Sequence, residues 1–412
     1  MRTYINKTIR FASCILAFTI VLGAGLNSCD NSTNPISEKA KYEVVSEQVV
    51  AKGYSGAQGL TSNKNSLGKK LAKNTSTESK VFCTEPIVYN TASNVFKIKP
   101  AIYSFSESGA PKKIFEFQDE DAGEFYTWGT YPSGEGAKMD GLKIDAVLTQ
   151  GDSVFYTINV SDKIFLINNE TKEIYLQSPE LVGTSGLIQG KDGKLYLAQV
   201  PKPARDTKRI ISVDKDKSIN TEVEIPMGEL RGKFYGSIET AQHLSIAEAD
   251  SGEFFITDFL GDAIYKYTKE SGLEDFITNA KYFPQSIDAS SKEDLLILTA
   301  PLSKPVEELD GSDLYKIQIE RAPKIIVVNK NTKEANEIHS FSDAIFSYWT
   351  YTPDLEITID GQRYLLPDKH GSLSSTLQET SDTEWEYSMS KPVKGEVVSI
   401  NIVVQDTTSG GE

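Results

Sequence analysis

Few side chains in this sequence are suited to covalent chemistry, and those few are scattered. There are three histidines, His243, His339 and His370, and three cysteines, Cys14, Cys29 and Cys83. No HExxH, CxxC, GxSxG or phosphate-loop sequence is present. Gly134-Glu135-Gly136 has no following Lys-Ser/Thr and reads as a turn. With three dispersed histidines and one spare thiol, a zinc site is not expected. Aromatic rings are the more promising chemistry. Residues 125–132 (FYTWGTYP) and 346–353 (FSYWTYTP) resemble each other. In them Tyr126, Trp128, Tyr348 and Trp349 offer planar rings with polar edges, which stack on sugars or anchor a protein partner. The same rings serve equally well as core. Trp385, between Glu384 and Glu386, lies in a polar insertion at 371–394, long for a simple turn.

The first 28 residues read as an address. Arg2, Lys7 and Arg10 precede an apolar run of about 15 residues, too short to span a bilayer, which takes about 20. Leu26-Asn27-Ser28-Cys29 follows and resembles a bacterial lipobox. That resemblance implies cleavage before Cys29 and thioether lipidation of its sulfur. It places the chain in the bacterial cell envelope, with the outer membrane the expected location and the periplasmic or surface-exposed face left open. Two or three acyl chains hold stably where one is marginal. With Cys14 removed and Cys29 lipidated, Cys83 has no partner within the chain; it is a buried apolar residue or an intermolecular thiol.

Residues 29–80 read as a flexible tether, because 51–80 are mostly Gly, Ser, Thr, Asn and Lys. Within it, residues 42–50 alternate enough for a stray strand or helix.

From residue 81 onward, short β-rich runs alternate with polar turns, which predicts an all-β domain over 81–412. Five units of a strand, a tight turn and a second strand begin near Ile144, Gly186, His243, Gln285 and Leu355. Several continue into a second hairpin, giving four strands per unit at spacings of about 40 to 70 residues. This is the pattern of a β-propeller with four-stranded antiparallel blades. A sixth unit is expected from the hairpin at 102–117, completed by the C-terminal strand at 397–404. Six blades is the best count, five or seven being the neighbouring ones, and a β-sandwich is the competing architecture.

Residues 252–267 (GEFFITDFLGDAIYKY) resemble an NHL-repeat blade, and 192–198 are a fainter copy. The units also resemble those of gluconolactonase-like and TolB-like six-bladed propellers. The gluconolactonase resemblance implies a divalent cation, Ca²⁺ or Mg²⁺, at the mouth of the central channel, held by Glu, Asn and Asp oxygens from separate blades. Asp145, His243, Asp258 and Gln285 fall near inner-strand ends and are the candidates for that mouth. They do not reproduce a Glu–Asn–Asp series at equivalent blade positions. Asp258 reads equally as a turn-capping carboxylate, and His243 as a structural or solvent-facing residue.

Charge narrows the partners. The chain has 43 basic and 58 acidic residues, a net charge of −15. A domain this acidic does not suit nucleic acid. Three functions remain: a monomeric membrane-anchored binding module for a protein, peptide or glycan; a metal-dependent hydrolase, lactonase or lyase; and a structural envelope component.

Overall fold

In the computed structural model, backbone is described in stretches between residues 42 and 404. Side chains are described chiefly in 101–104, 111–116, 147–148, 153–157, 161–168, 171–200, 207–226, 244–259, 261–278, 284–289, 293–299 and 324–340. Residues 1–28, read above as a signal peptide, and Cys29, His243, His370, Tyr348 and Trp349 lie outside the described residues.

The apolar runs become strands buried on both faces. Lys163–Asn168 (KIFLIN) is buried at its four central residues. Tyr156, Phe165 and Ile167 pack toward Ile102 on one side of their sheet. Phe155, Ile164 and Leu166 pack toward Leu187, Leu195 and Leu197 on the other. A sheet with two apolar faces must be covered twice, and the same sheet repeated around a ring does this.

Six four-stranded sheets are present among the described residues. Blade 1 is Gln58–Ser62, Lys80–Thr84, Ala101–Ser106 and Gly109–Glu116, in spatial order from the inside. Blade 2 is Ile144–Gln150, Ser153–Ile158, Lys163–Asn168 and Thr171–Gln177. Blade 3 is Thr184–Gln189, Leu195–Gln199, Lys208–Val213 and Ile219–Ile225. Blade 4 is Leu244–Glu248, Phe254–Asp258, Ala263–Thr268 and Gly272–Ile277. Blade 5 is Pro284–Asp288, Asp294–Thr299, Lys324–Asn329 and Ala335–Ser340. Blade 6 is Leu355–Ile357, Arg363–Leu365, Gly395–Val404 and Tyr42–Tyr54. The innermost strands touch in sequence from blade 1 to blade 6, and blade 6 touches blade 1. The ring is closed: this is a six-bladed propeller.

Closure differs from the sequence expectation. The strand Gly395–Val404 does not complete the hairpin at 101–116; it is the third strand of blade 6. That hairpin instead joins Gln58–Ser62 and Lys80–Thr84. Tyr42–Tyr54 pairs along Gly395–Val404 as the outermost strand of blade 6. Two strands therefore come from the stretch expected to be free tether, and the compact unit runs from Ala40 to Glu412 rather than starting at residue 81. Pairing with a partner more than 300 residues away supplies the hydrogen bonds that this polar stretch cannot make by itself.

Tight turns join the strands at one end of the ring. Gly190–Lys194, Asp214–Ser218 and Ala249–Glu253 share one geometry, with paired N–H···O bonds closing the loop. The fourth residue is left-handed in each: Gly193 at φ 83°, Lys217 at φ 68° and Gly252 at φ 86°. This is the three-residue hairpin loop with a left-handed bulge residue.

Candidate functional site at the loop-rich end

Each blade is an antiparallel meander, so its connections alternate between two ends of the ring. Innermost strands start at one end, and so do the links between second and third strands and from one blade to the next. Nearly all the long connections lie there: 85–100, 117–143, 226–243, 300–323, 341–354 and 366–394. The opposite, plain end has short turns apart from 63–79.

Three of the long connections build a further sheet together. Its six strands are Ser375–Glu379, Glu384–Met389, Ile87–Asn90, Val95–Ile98, Lys138–Gly141 and Tyr126–Thr130, in that spatial order. The polar insertion at 371–394 thus contributes two strands, and one aromatic cluster supplies the edge. The backbone register aligns Trp385 with Tyr89, Tyr89 with Phe96, Phe96 with Met139, and Met139 with Trp128. Four aromatic positions share one row across the sheet.

Asp258 ends the second strand of blade 4 at this end of the ring, and it is buried. Lys208 Nζ of blade 3 donates to its Oδ2 at 2.5 Å, with both side chains almost fully buried. Gly261 N donates to its Oδ1 at 3.0 Å. A Cβ at Gly261 would collide with that carboxylate, so a larger residue there would have to displace it. Both oxygens are engaged by the turn and the neighbouring blade, in the manner of the turn-capping reading.

Innermost strands of three blades carry a register shift near their start: at Asp145 in blade 2, Ser185 in blade 3 and Gln285 in blade 5. Such bulges redirect a side chain. Ser185 Oγ turns to blade 4, donating to Leu244 O and accepting from Leu244 N, both at 3.1 Å. Thr257 Oγ1 continues the stitch, accepting from Ser245 N and donating to Gln285 O, both at 3.2 Å. Gln285 is 5% exposed, and its Oε1 has no hydrogen-bond partner among the described residues. Of Asp145 only the backbone position is described. Asp145, Asp258 and Gln285 therefore share one end of the ring, in blades 2, 4 and 5. Among the described residues no group of three or more His, Cys, Asp or Glu is placed to hold a metal ion.

Sequence reasoning missed a second polar cluster here. Arg209 donates from Nε to Gln199 Oε1 at 2.8 Å and from Nη2 to Glu180 O and Oε2 at 3.0 and 2.5 Å. Gln199 Nε2 donates to the same Glu180 carbonyl at 2.8 Å. The cluster clamps the 3-10 turn Pro179–Leu181, where the chain passes from blade 2 to blade 3. Its signal was the Lys208-Arg209 pair opening a strand that continues Ile-Ile-Ser-Val.

No family model and no curated protein matches the chain. Solved structures do. A streptogramin B lyase is 15% identical, covering 88% of this chain and 98% of its own, with a TM-score of 0.45. Virginiamycin B lyase from Staphylococcus aureus is 13% identical over 88% and 100%, with a TM-score of 0.45. TolB from Acinetobacter baumannii is 13% identical over 76% and 64%, with a TM-score of 0.40. The ring of six sheets establishes the propeller without them.

Proposed function

We propose that the chain is a lipid-anchored envelope protein whose propeller binds a peptide or glycan across its loop-rich end. The carrying observation is convergence: three insertions from separate places in the sequence meet in one sheet at that end. A fold needs no such sheet to close its ring, whereas a binding surface needs area and rings. The aligned positions Trp385, Tyr89, Phe96 and Trp128 supply rings. The engagement of Asp258 by Lys208 and Gly261 leaves it poorly suited as a catalytic base. The test is an array of envelope glycans and peptides probed with the chain lacking residues 1–28. Trp128→Ala with Trp385→Ala is expected to weaken the best hit at least about tenfold, with the unfolding midpoint unchanged. Unaltered affinity would sink the reading.

A second reading is a hydrolase, lactonase or lyase using a divalent cation at the channel mouth. The unpartnered Gln285 oxygen at a bulge favours it, since an amide oxygen is a hard-cation ligand. Calcium titration followed by calorimetry, with Gln285→Met as control, decides it; no heat above the control removes it.

A further inference from the structure

We propose that the ligand of the loop-rich end is a short extended peptide alternating basic and apolar residues, seated on one face of the six-stranded sheet. This rests on the reading of that end as a binding surface and chooses between the two ligand classes it leaves open. The observation is that the sheet has two unlike faces. Residues opposed across paired strands share a face, and successive residues along a strand lie on opposite ones. The row of Trp385, Tyr89, Phe96, Met139 and Trp128 continues to Glu379 on the edge strand. The next row of the same face is Leu377, Tyr387, Ile87, Ile98, Gly141 and Tyr126. Between the two runs a row of the opposite face: Gln378, Glu386, Val88, Lys97, Asp140 and Thr127. The bulge in Tyr126–Thr130 falls beyond Trp128 and leaves these rows intact. Glu379 is the one charged position in the two apolar rows.

A sheet with one apolar face needs a cover. Size restricts what the cover is. Six strands about 4.8 Å apart, each about four to six residues long at about 3.4 Å, make a face on the order of 400–500 Å². A stable interface takes about 800 Å² from each partner, so this face alone does not hold a second copy. About seven extended residues span its width. Chemistry then separates peptide from glycan. Sugar hydroxyls brought onto these rows would lose water and find one carboxylate position and a few tyrosines in exchange. The alternate apolar side chains of an extended peptide match such a face without that loss. Charge supplies the other half of the pattern. The hairpin strands at the sheet's edge, Ser375–Glu379 and Glu384–Met389, carry Glu379, Glu384 and Glu386 and no cation. They favour a basic ligand over an acidic one.

The test uses the chain lacking residues 1–28, which keeps the whole compact unit Ala40–Glu412. Two of the three tryptophans, Trp128 and Trp385, stand in the apolar rows, so in a Trp349→Phe background tryptophan emission reports on that face. The probe is a peptide of about ten residues alternating Lys with Leu and Phe. Two control peptides carry Glu in place of Lys, or Ser in place of Leu and Phe. Expected is saturable binding that lowers acrylamide quenching about twofold and is about tenfold tighter than for either control. Glu384→Lys with Glu386→Lys, both off the apolar rows, should reverse the preference between the Lys and Glu peptides. Equal affinity for all three peptides, or none for the Lys peptide, overturns the proposal. Binding of an N-acetylglucosamine oligomer in place of the Lys peptide overturns the choice of peptide and leaves the binding surface standing. Weak acrylamide quenching before any addition, with neither probe bound, means that the protein itself covers the apolar face, and removes the binding surface together with the peptide.

Discussion

At the scale of single residues, the loop-rich end is held by buried polar contacts whose removal has calculable consequences. Lys208 and Asp258 form an ion pair across blades 3 and 4 with almost no solvent to screen it. Lys208→Met leaves an uncompensated buried carboxylate and is expected to cost about 3–5 kcal/mol in urea unfolding. Adding Asp258→Asn removes the charge and keeps the acceptor for Gly261, so the double variant should recover most of that loss. Gln285→Met has the opposite sign. It removes a buried acceptor without a partner and is expected to add about 1 kcal/mol. A loss of stability would mean that a water or ligand donor serves that oxygen. At the plain end, burial raises the Glu248 carboxyl above its usual range, although Lys191 N donates to it at 2.7 Å. A carboxyl raised by folding makes the native state bind more protons, so this group weakens the fold as pH rises through its titration. Glu248→Gln keeps the acceptor and is expected to stabilise at neutral pH, with the gain vanishing in acid; unfolding midpoints at both pH values measure it.

Secondary-structure elements were legible wherever neighbouring residues decide the conformation. The runs at 163–168, 254–258 and 324–329 became strands because apolar β-formers between polar turns have one good solution in a repeated sheet. The turns were legible for a similar reason. At Gly252 the backbone is left-handed, and a Cβ would meet nothing within 4 Å. Gly252→Ala should therefore lose about 1–2 kcal/mol by backbone conformation alone, read as a lowered unfolding midpoint. Asp258 was flagged by its place at a strand end, but its partner Lys208 lies 50 residues earlier, in another blade. No spacing rule in the sequence joins them. The same holds for Arg209 and Glu180, which meet only because blade 2 hands over to blade 3 beside them.

For the whole molecule, the decisive element is the N-terminal strand Tyr42–Tyr54. It shuts blade 6 and so ties the two ends of the ring together. A truncation starting at residue 42 should unfold at the urea midpoint of the longer chain. One starting at residue 55 leaves Gly395–Val404 unpaired on one side and should lose several kcal/mol with broadened cooperativity. Equal midpoints for the two would mean that closure does not depend on this strand.

Composition and local pattern were enough to predict an all-β propeller and to mark the four-stranded repeat, since alternation and turn residues act over a few positions. They also marked 42–50 as a patch able to form either a strand or a helix within an expected tether, and 371–394 as an insertion. What covers those segments was left to the tertiary structure. The pairings of Tyr42–Tyr54 with Gly395–Val404 and of Ile87–Asn90 with Glu384–Met389 join residues hundreds of positions apart, and Val95–Ile98 meets Lys138–Gly141 across a whole blade. Their stability comes from backbone hydrogen bonds that any strand could offer, so side-chain sequence carries almost no record of which strand accepts them.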